Sequence, residues 1–68
     1  MIELVINGER RSVRATSPRE LLRELGLDEA GRGLAIAIGD VVVPRSRWDD
    51  ARLERGQTIE IVGAAQGG

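Results

Sequence analysis

Two alternating segments joined by Asn-Gly open the sequence, and this pattern limits the possible folds more than any other feature. In residues 1–6, apolar side chains occupy every second position, which is the period of a half-buried strand. Asn7-Gly8 follows, and both residue types tolerate the positive φ of a type I′ turn. The returning segment, residues 9–14, carries three arginines, which suit a solvated edge strand. The chain is therefore predicted to begin with a β-hairpin.

One helix is predicted after this hairpin. Ser17 can cap the first turn, Pro18 suits the first helical position, and Glu20 would complete a capping box. Leucines at positions 21, 22 and 25 form an apolar stripe at helical spacing. Gly26 would end the helix in the left-handed conformation. A helix this short needs a sheet to pack against.

The second half of the chain contains the patterns of three further strands. Residues 34–38 are apolar throughout, which predicts a strand covered on both faces or partly exposed at a docking surface. The Gly39-Asp40 pair is typical of a turn into residues 41–43. Pro44 should stop that strand, because it cannot donate to the sheet.

A short helical turn and a last strand complete the pattern. We expect Ser46 to cap a turn that runs to position 49, with Trp48 as its apolar anchor. Gly56-Gln57 should turn the chain into residues 58–62, where alternate isoleucines face the core.

The order of these elements predicts an α+β fold of the ubiquitin-like β-grasp type. It has a mixed five-stranded sheet with one main helix packed on one face. The last strand should lie centrally and parallel to the first. We assign residues 1–62 to this domain and residues 63–68 to a flexible carboxy-terminal tail that ends in Gly-Gly.

Composition excludes several functions. The chain has neither cysteine nor histidine, so it cannot assemble a catalytic triad, a Cys-His pair or a zinc site, and we predict no catalytic and no metal-binding residue. Eleven acids outnumber ten arginines and Trp48 is the only aromatic, which argues against nucleic acid as a partner. Asp49-Asp50 is better explained as a solvated turn than as a metal site.

Neither a membrane segment nor a targeting segment is predicted. No apolar stretch approaches the length of a membrane span. The chain starts directly with strand-like residues, so a cytoplasmic location is expected.

The last five residues, Ala64-Ala65-Gln66-Gly67-Gly68, are small or flexible and include two residues without side chains. Glycine can enter a slot that any side chain would block. The α-carboxylate of Gly68 would be ionised at neutral pH. An idle, frayed end is the alternative explanation for such a segment. The functional hypothesis is that the domain presents Gly68 to other proteins.

Val43-Pro44-Arg45, followed by Trp48 and the Gly67-Gly68 end, resembles the ThiS family of sulfur carrier proteins, which serve thiazole formation in thiamine biosynthesis. The resemblance extends over the whole chain. Gly-Gly alone is shared with ubiquitin-like proteins and molybdopterin-pathway carriers. Family members often have Asn-Gly where this chain has Gly39-Asp40, and Gly-Asp where it has Gly56-Gln57. Both departures concern local turn type.

The resemblance implies a protein co-substrate, with no enzyme activity and no cofactor bound by the chain itself. An E1-like adenylating enzyme would use ATP and magnesium to activate the Gly68 carboxylate. A cysteine-derived sulfur donor would then replace AMP and leave a thiocarboxylate. Thiazole synthase would take this sulfur into the thiazole ring.

The resemblance also implies roles for residues near Gly68. Gly67 would let the terminus thread into a partner's active-site channel, and Ala64, Ala65 and Gln66 would lie along that channel. Three further residues are candidates for a docking patch on the sheet, although each is equally compatible with the core: Ile36, Val42 and Val62.

Other functions stay open from sequence alone. The carrier could serve a molybdopterin-like pathway or cysteine synthesis. The chain could instead be a ubiquitin-like modifier joined through Gly68 to lysines of other proteins, or a non-covalent adaptor.

Overall fold

The structure is a computed structural model that describes residues 1–63. Five strands and two helices follow one another along the chain: β1 (Ile2–Ile6), β2 (Glu9–Val13), α1 (Pro18–Glu24), β3 (Leu34–Ile38), β4 (Val41–Val43), the 3-10 helix (Arg45–Arg47) and β5 (Thr58–Gly63). These elements confirm the predicted α+β fold with one main helix and a five-stranded sheet. The last strand runs one residue further than predicted, since Gly63 belongs to it.

The sheet has the strand order β2-β1-β5-β3-β4. β1 and β5 are parallel, with Val5 opposite Thr58 and Ile6 opposite Ile59. The other neighbouring pairs are antiparallel. The prediction of a central last strand parallel to the first is therefore confirmed, as is the edge position of the arginine-bearing β2.

Helix α1 covers one face of this sheet. Its Leu21 and Leu22 are fully buried, and they join inward-facing residues of the strands in a single core, against which Val43 of the short β4 packs partly buried. The buried members of that core are Leu4, Ile6, Val13, Ala15, Leu21, Leu22, Ile36, Trp48, Leu53 and Ile59. The core consequently lies entirely on the helix side, and the opposite face of the sheet has no covering layer within residues 1–63.

The amino-terminal cap of α1 differs from the predicted capping box in one bond. The Ser17 hydroxyl accepts a hydrogen bond from the backbone N–H of Glu20 at 3.2 Å, as predicted. The Glu20 carboxylate, however, accepts from the backbone N–H and the hydroxyl of Thr16, at 2.9 and 3.0 Å. A capping box would have used the backbone N–H of Ser17. The Glu20 carboxylate bonds Thr16 instead, because the Thr16 hydroxyl adds a second donor there.

The carboxy-terminal end of α1 closes as predicted. Gly26 has φ +77° and donates its N–H to the Arg23 carbonyl at 3.1 Å, while Leu27 donates to the Leu22 carbonyl at 2.8 Å. This pair of bonds is a Schellman motif, which satisfies the last carbonyls of the helix.

Trp48 holds the segment after β4 against the core. Its ring is 1% exposed, and its indole N–H donates to the Val43 carbonyl at 2.9 Å. The Arg19 and Arg45 guanidinium carbons lie 5.7 and 5.8 Å from the ring centroid, within cation–π range. The predicted apolar anchor is confirmed. The predicted cap was wrong: Ser46 lies inside the 3-10 helix, which starts after Pro44 without a side-chain cap.

Replacing Gly31 should test how tightly the Trp48 ring is packed. A Cβ at Gly31 would fall on ring atoms Cζ3 and Cη2, and the residue has φ +73°. We expect Gly31→Ala to lower the free energy of unfolding by about 2–4 kcal/mol, since it adds overpacking to a left-handed backbone.

Gly39→Ala is the matched control. Gly39 has φ +63°, with no described heavy atom within 4 Å of the added Cβ, so only the backbone cost of about 1–2 kcal/mol applies. Urea unfolding followed by Trp48 fluorescence measures both variants. Equal losses of unfolding free energy in the two variants would show that the Trp48 ring moves aside for the methyl group.

The Glu20 bonds to Thr16 should make folding stability depend on pH. Accepting the Thr16 N–H and hydroxyl lowers the pKa of Glu20 below its usual value. Glu20 therefore stabilises the fold above its unfolded pKa of about 4.3, and this contribution is lost as the pH falls through the folded pKa. We expect the free energy of unfolding to fall less steeply in Glu20→Gln than in the wild type between about pH 5 and pH 3. Urea midpoints across that range test this, and an unchanged slope would contradict it.

Candidate functional site

An apolar patch occupies the sheet face opposite α1. Val42 on β4 and Val62 on β5 are 66% and 59% exposed. Ala37 lies directly opposite Val42, and Ala35 lies directly opposite Val62. Directly opposed residues share a face and are close neighbours. These four residues therefore form one continuous surface across three strands, here called the open-face patch.

Two of the three predicted docking residues lie in this patch, and the third does not. Val42 and Val62 are exposed on the same face. Ile36 is 1% exposed and belongs to the core. Successive residues of a strand point to opposite faces, so Ile36 points towards α1 while its neighbours in β3 point away. The docking role predicted for Ile36 is wrong for this reason.

Ala35 and Ala37 were missed because β3 reads as uniformly apolar. The signal was present in side-chain size, since the two small residues alternate with Leu34, Ile36 and Ile38. The large side chains are those that fill the core on the helix side. Alanine on the other face leaves the open-face patch shallow, which suits contact with a flat partner surface.

Charged and polar groups border the open-face patch. Glu60 lies opposite Ala37 on the side away from Val42. Farther across the sheet, Arg10 lies opposite Val5, and Val5 lies opposite Thr58. An apolar centre with a polar rim is the usual anatomy of a protein-protein interface. This face is accordingly a candidate docking surface for another protein.

Strand β5 carries the chain out of the middle of the sheet. It pairs with β1 on one side and β3 on the other, and Gly63 is still opposite Leu34. The predicted functional segment, Ala64, Ala65, Gln66, Gly67 and Gly68, lies outside the described residues. Pairing with β3 holds β5 as far as Gly63, which gives the segment a defined starting point.

Asn7 contacts the strand that leads to this segment. The sequence predicted Asn7 only as a turn residue. Its side-chain amide donates to the Ile61 carbonyl at 3.1 Å and accepts from the Ile61 N–H at 2.8 Å. The two residues are 54 positions apart. No local pattern in the sequence identifies such a contact.

A shallow cleft of about 340 Å³ opens beside Gly63 on the helix side of the sheet. Apolar side chains line part of it, including Leu25, Leu34 and Ile61, and Arg11 and Glu9 stand at its border. Residues 1–63 contain no group of three or more His, Asp or Glu placed to hold a metal ion. The same range has no helix long and apolar enough to cross a membrane.

The fold and this site together define a class of protein. A β-grasp sheet with one covering helix, an open apolar face, and a central last strand that precedes Gly67-Gly68 in the sequence is a ubiquitin-like domain.

Comparison with known proteins identifies the family. The family model of the ThiS family matches residues 4–68, so the chain belongs to the ThiS family. Members of this family are small sulfur carriers that work with partner enzymes in thiamine biosynthesis.

A solved structure has the same fold. The crystal structure of the thiamine biosynthesis protein ThiS from Geobacter metallireducens superposes with a TM-score of 0.79 and 22% sequence identity, over 91% of this chain and 93% of that one. Comparison with curated protein sequences gave no significant match.

Proposed function

We propose that this chain is the sulfur carrier for thiazole formation and that Gly68 carries the sulfur. The observation that carries the proposal is the family match, which extends to residue 68 and so includes Gly67-Gly68. The central position of β5 supports it, because a chain end that follows a firmly held strand can be presented reproducibly.

The chemistry needs two steps at one carbon atom. A carboxylate is a poor acyl donor because it is anionic and its oxygen leaves badly. An E1-like adenylating enzyme joins the Gly68 carboxylate to the α-phosphate of ATP, with magnesium, and releases pyrophosphate. A cysteine-derived sulfide equivalent then attacks the acyl carbon, AMP leaves, and a Gly68 thiocarboxylate remains for thiazole synthase.

The carrier supplies the acyl group, and its partners supply the catalytic side chains and the metal. The absence of cysteine and histidine from the sequence fits this division. Gly67 has no side chain to obstruct a narrow channel. Ala64, Ala65 and Gln66 would lie along that channel, where the Gln66 amide can both donate and accept hydrogen bonds.

We assign the docking of the adenylating enzyme to the open-face patch. Val42 and Val62 offer exposed apolar area, and Ala35 and Ala37 let a partner approach the sheet closely. Burial of such area on association is the main favourable contribution to binding. Val62 of the patch lies on β5, the strand that leads to Gly68, so docking there would bring the chain end to the same partner.

Intact-mass analysis tests the sulfur-carrying role. Protein isolated from its native host should include a species in which one oxygen has been exchanged for sulfur, located at Gly68 by fragmentation. Higher-mass conjugates to other proteins would support a modifier instead. An unmodified chain in sulfur-replete cells that make thiamine would contradict the proposal.

Deleting Gly68 separates function from folding. Gly68 has no side chain to bury, so the free energy of unfolding should change by less than about 0.5 kcal/mol. Thiamine synthesis in cells that depend on this chain should nevertheless stop. Continued synthesis would show that Gly68 is not the carrier residue.

Two neighbouring valines test the docking surface. Val42→Asp places a charge in the open-face patch, and we expect it to raise the KM of the adenylating enzyme for this chain about tenfold or more. Val41→Asp is the control, since Val41 is 69% exposed on the same strand but points to the opposite face. It should leave KM within about twofold. If the two variants raised KM equally, the partner would not dock on this face.

A further inference from the structure

We propose that Asn7 is a positioning residue for the chain end, in that its side-chain amide replaces a missing strand neighbour of β5. This inference rests on the proposed carrier function. It gives the hairpin turn a role in positioning Gly63, the residue from which residues 64–68 continue.

The need for such a residue arises from unequal strand lengths. The parallel ladder between β1 and β5 ends where Ile6 lies opposite Ile59, and the chain then turns at Asn7 into β2. Strand β5 nevertheless continues to Gly63. On its other side, pairing with β3 extends to Gly63. The final residues of β5 thus have a full strand on one side only.

Asn7 extends the ladder on the deficient side. Its backbone N–H donates to the Ile59 carbonyl at 2.8 Å. Its side-chain amide then bonds both the carbonyl and the N–H of Ile61, at 3.1 and 2.8 Å. An amide offers one acceptor and two donors, so it can satisfy a strand residue as a backbone neighbour would. Ile61 is the last residue of β5 that these bonds hold from the β1 side, and it lies two residues before Gly63.

The turn and the amide contact are separable properties of Asn7. Asn7 has φ +49° and is the non-glycine residue with positive φ within residues 1–63. Glycine adopts this conformation without a steric penalty. Asn7→Gly would therefore keep the turn and remove the two bonds to Ile61. Asn7→Asp keeps an acceptor for the Ile61 N–H and loses the donor to its carbonyl.

Loss of the amide should act on binding more than on chemistry. Without it the end of β5 frays from one side, and more backbone must be ordered when a partner captures Gly68. That cost falls on formation of the complex. Once the chain end is bound, the reacting carboxylate is unchanged, so KM should rise while kcat is retained.

Steady-state adenylation by the partner enzyme tests the inference on the full chain. We expect Asn7→Gly to raise KM about tenfold with kcat within about twofold, and Asn7→Asp to give an intermediate KM. Amide hydrogen exchange should show the Ile61 N–H exchanging at least about tenfold faster in Asn7→Gly. The Gly39 N–H, which donates to Thr58 at 2.8 Å, should keep its rate.

Ser17→Ala is the matched control for stability. It removes the cap of α1, far along the chain from β5, and should destabilise the protein without changing KM. If Ser17→Ala raised KM as much as Asn7→Gly does, the effect of Asn7 would be one of general stability, and the inference would be overturned. An Asn7→Gly chain with wild-type KM would also overturn it, although the carrier function would stand. A wild-type chain that is never adenylated would overturn the carrier function itself.

Discussion

The parallel pairing of β1 with β5 is the contact on which the rest of the structure depends. Parallel strands cannot be joined by a tight turn, so the chain between Ile6 and Thr58 must cross over to bring the two strands together. This pair puts the first and the last strand of the domain side by side in the interior of the sheet. The strand that leads to Gly68 is thereby an interior strand of the sheet rather than an edge.

The same sheet gives its two faces different tasks. The helix side carries the large apolar residues and provides stability. The open side carries alanines on β3 and exposed valines on β4 and β5, and no other element of residues 1–63 covers it. A domain of this size can bury only a modest core. In the proposed function the domain presents its chain end, and its partners contribute the reactive groups.

The motif that pointed to the family turns out to be structural. Val43 supplies the carbonyl that the Trp48 indole bonds, and Arg45 stacks near the ring while donating to the Gly31 carbonyl at 3.2 Å. Arg19 ties the same ring to α1 and pairs with Asp49 at 2.7 Å. These contacts lock the segment that follows β4 onto the core. This part of the motif is therefore explained by folding, whereas the proposed sulfur-carrying role belongs to Gly68.

The sequence by itself determined the hairpin, the helix with its Ser17 cap and Gly26 stop, the strands, and the central position of the last strand. Those features depend on local backbone preferences and on periodicity, which neighbouring residues define. Only the tertiary structure decided that Ile36 is buried, because the face that α1 covers depends on distant packing. Only it placed the Asn7 amide on Ile61, since a contact between residues 54 positions apart leaves no local pattern.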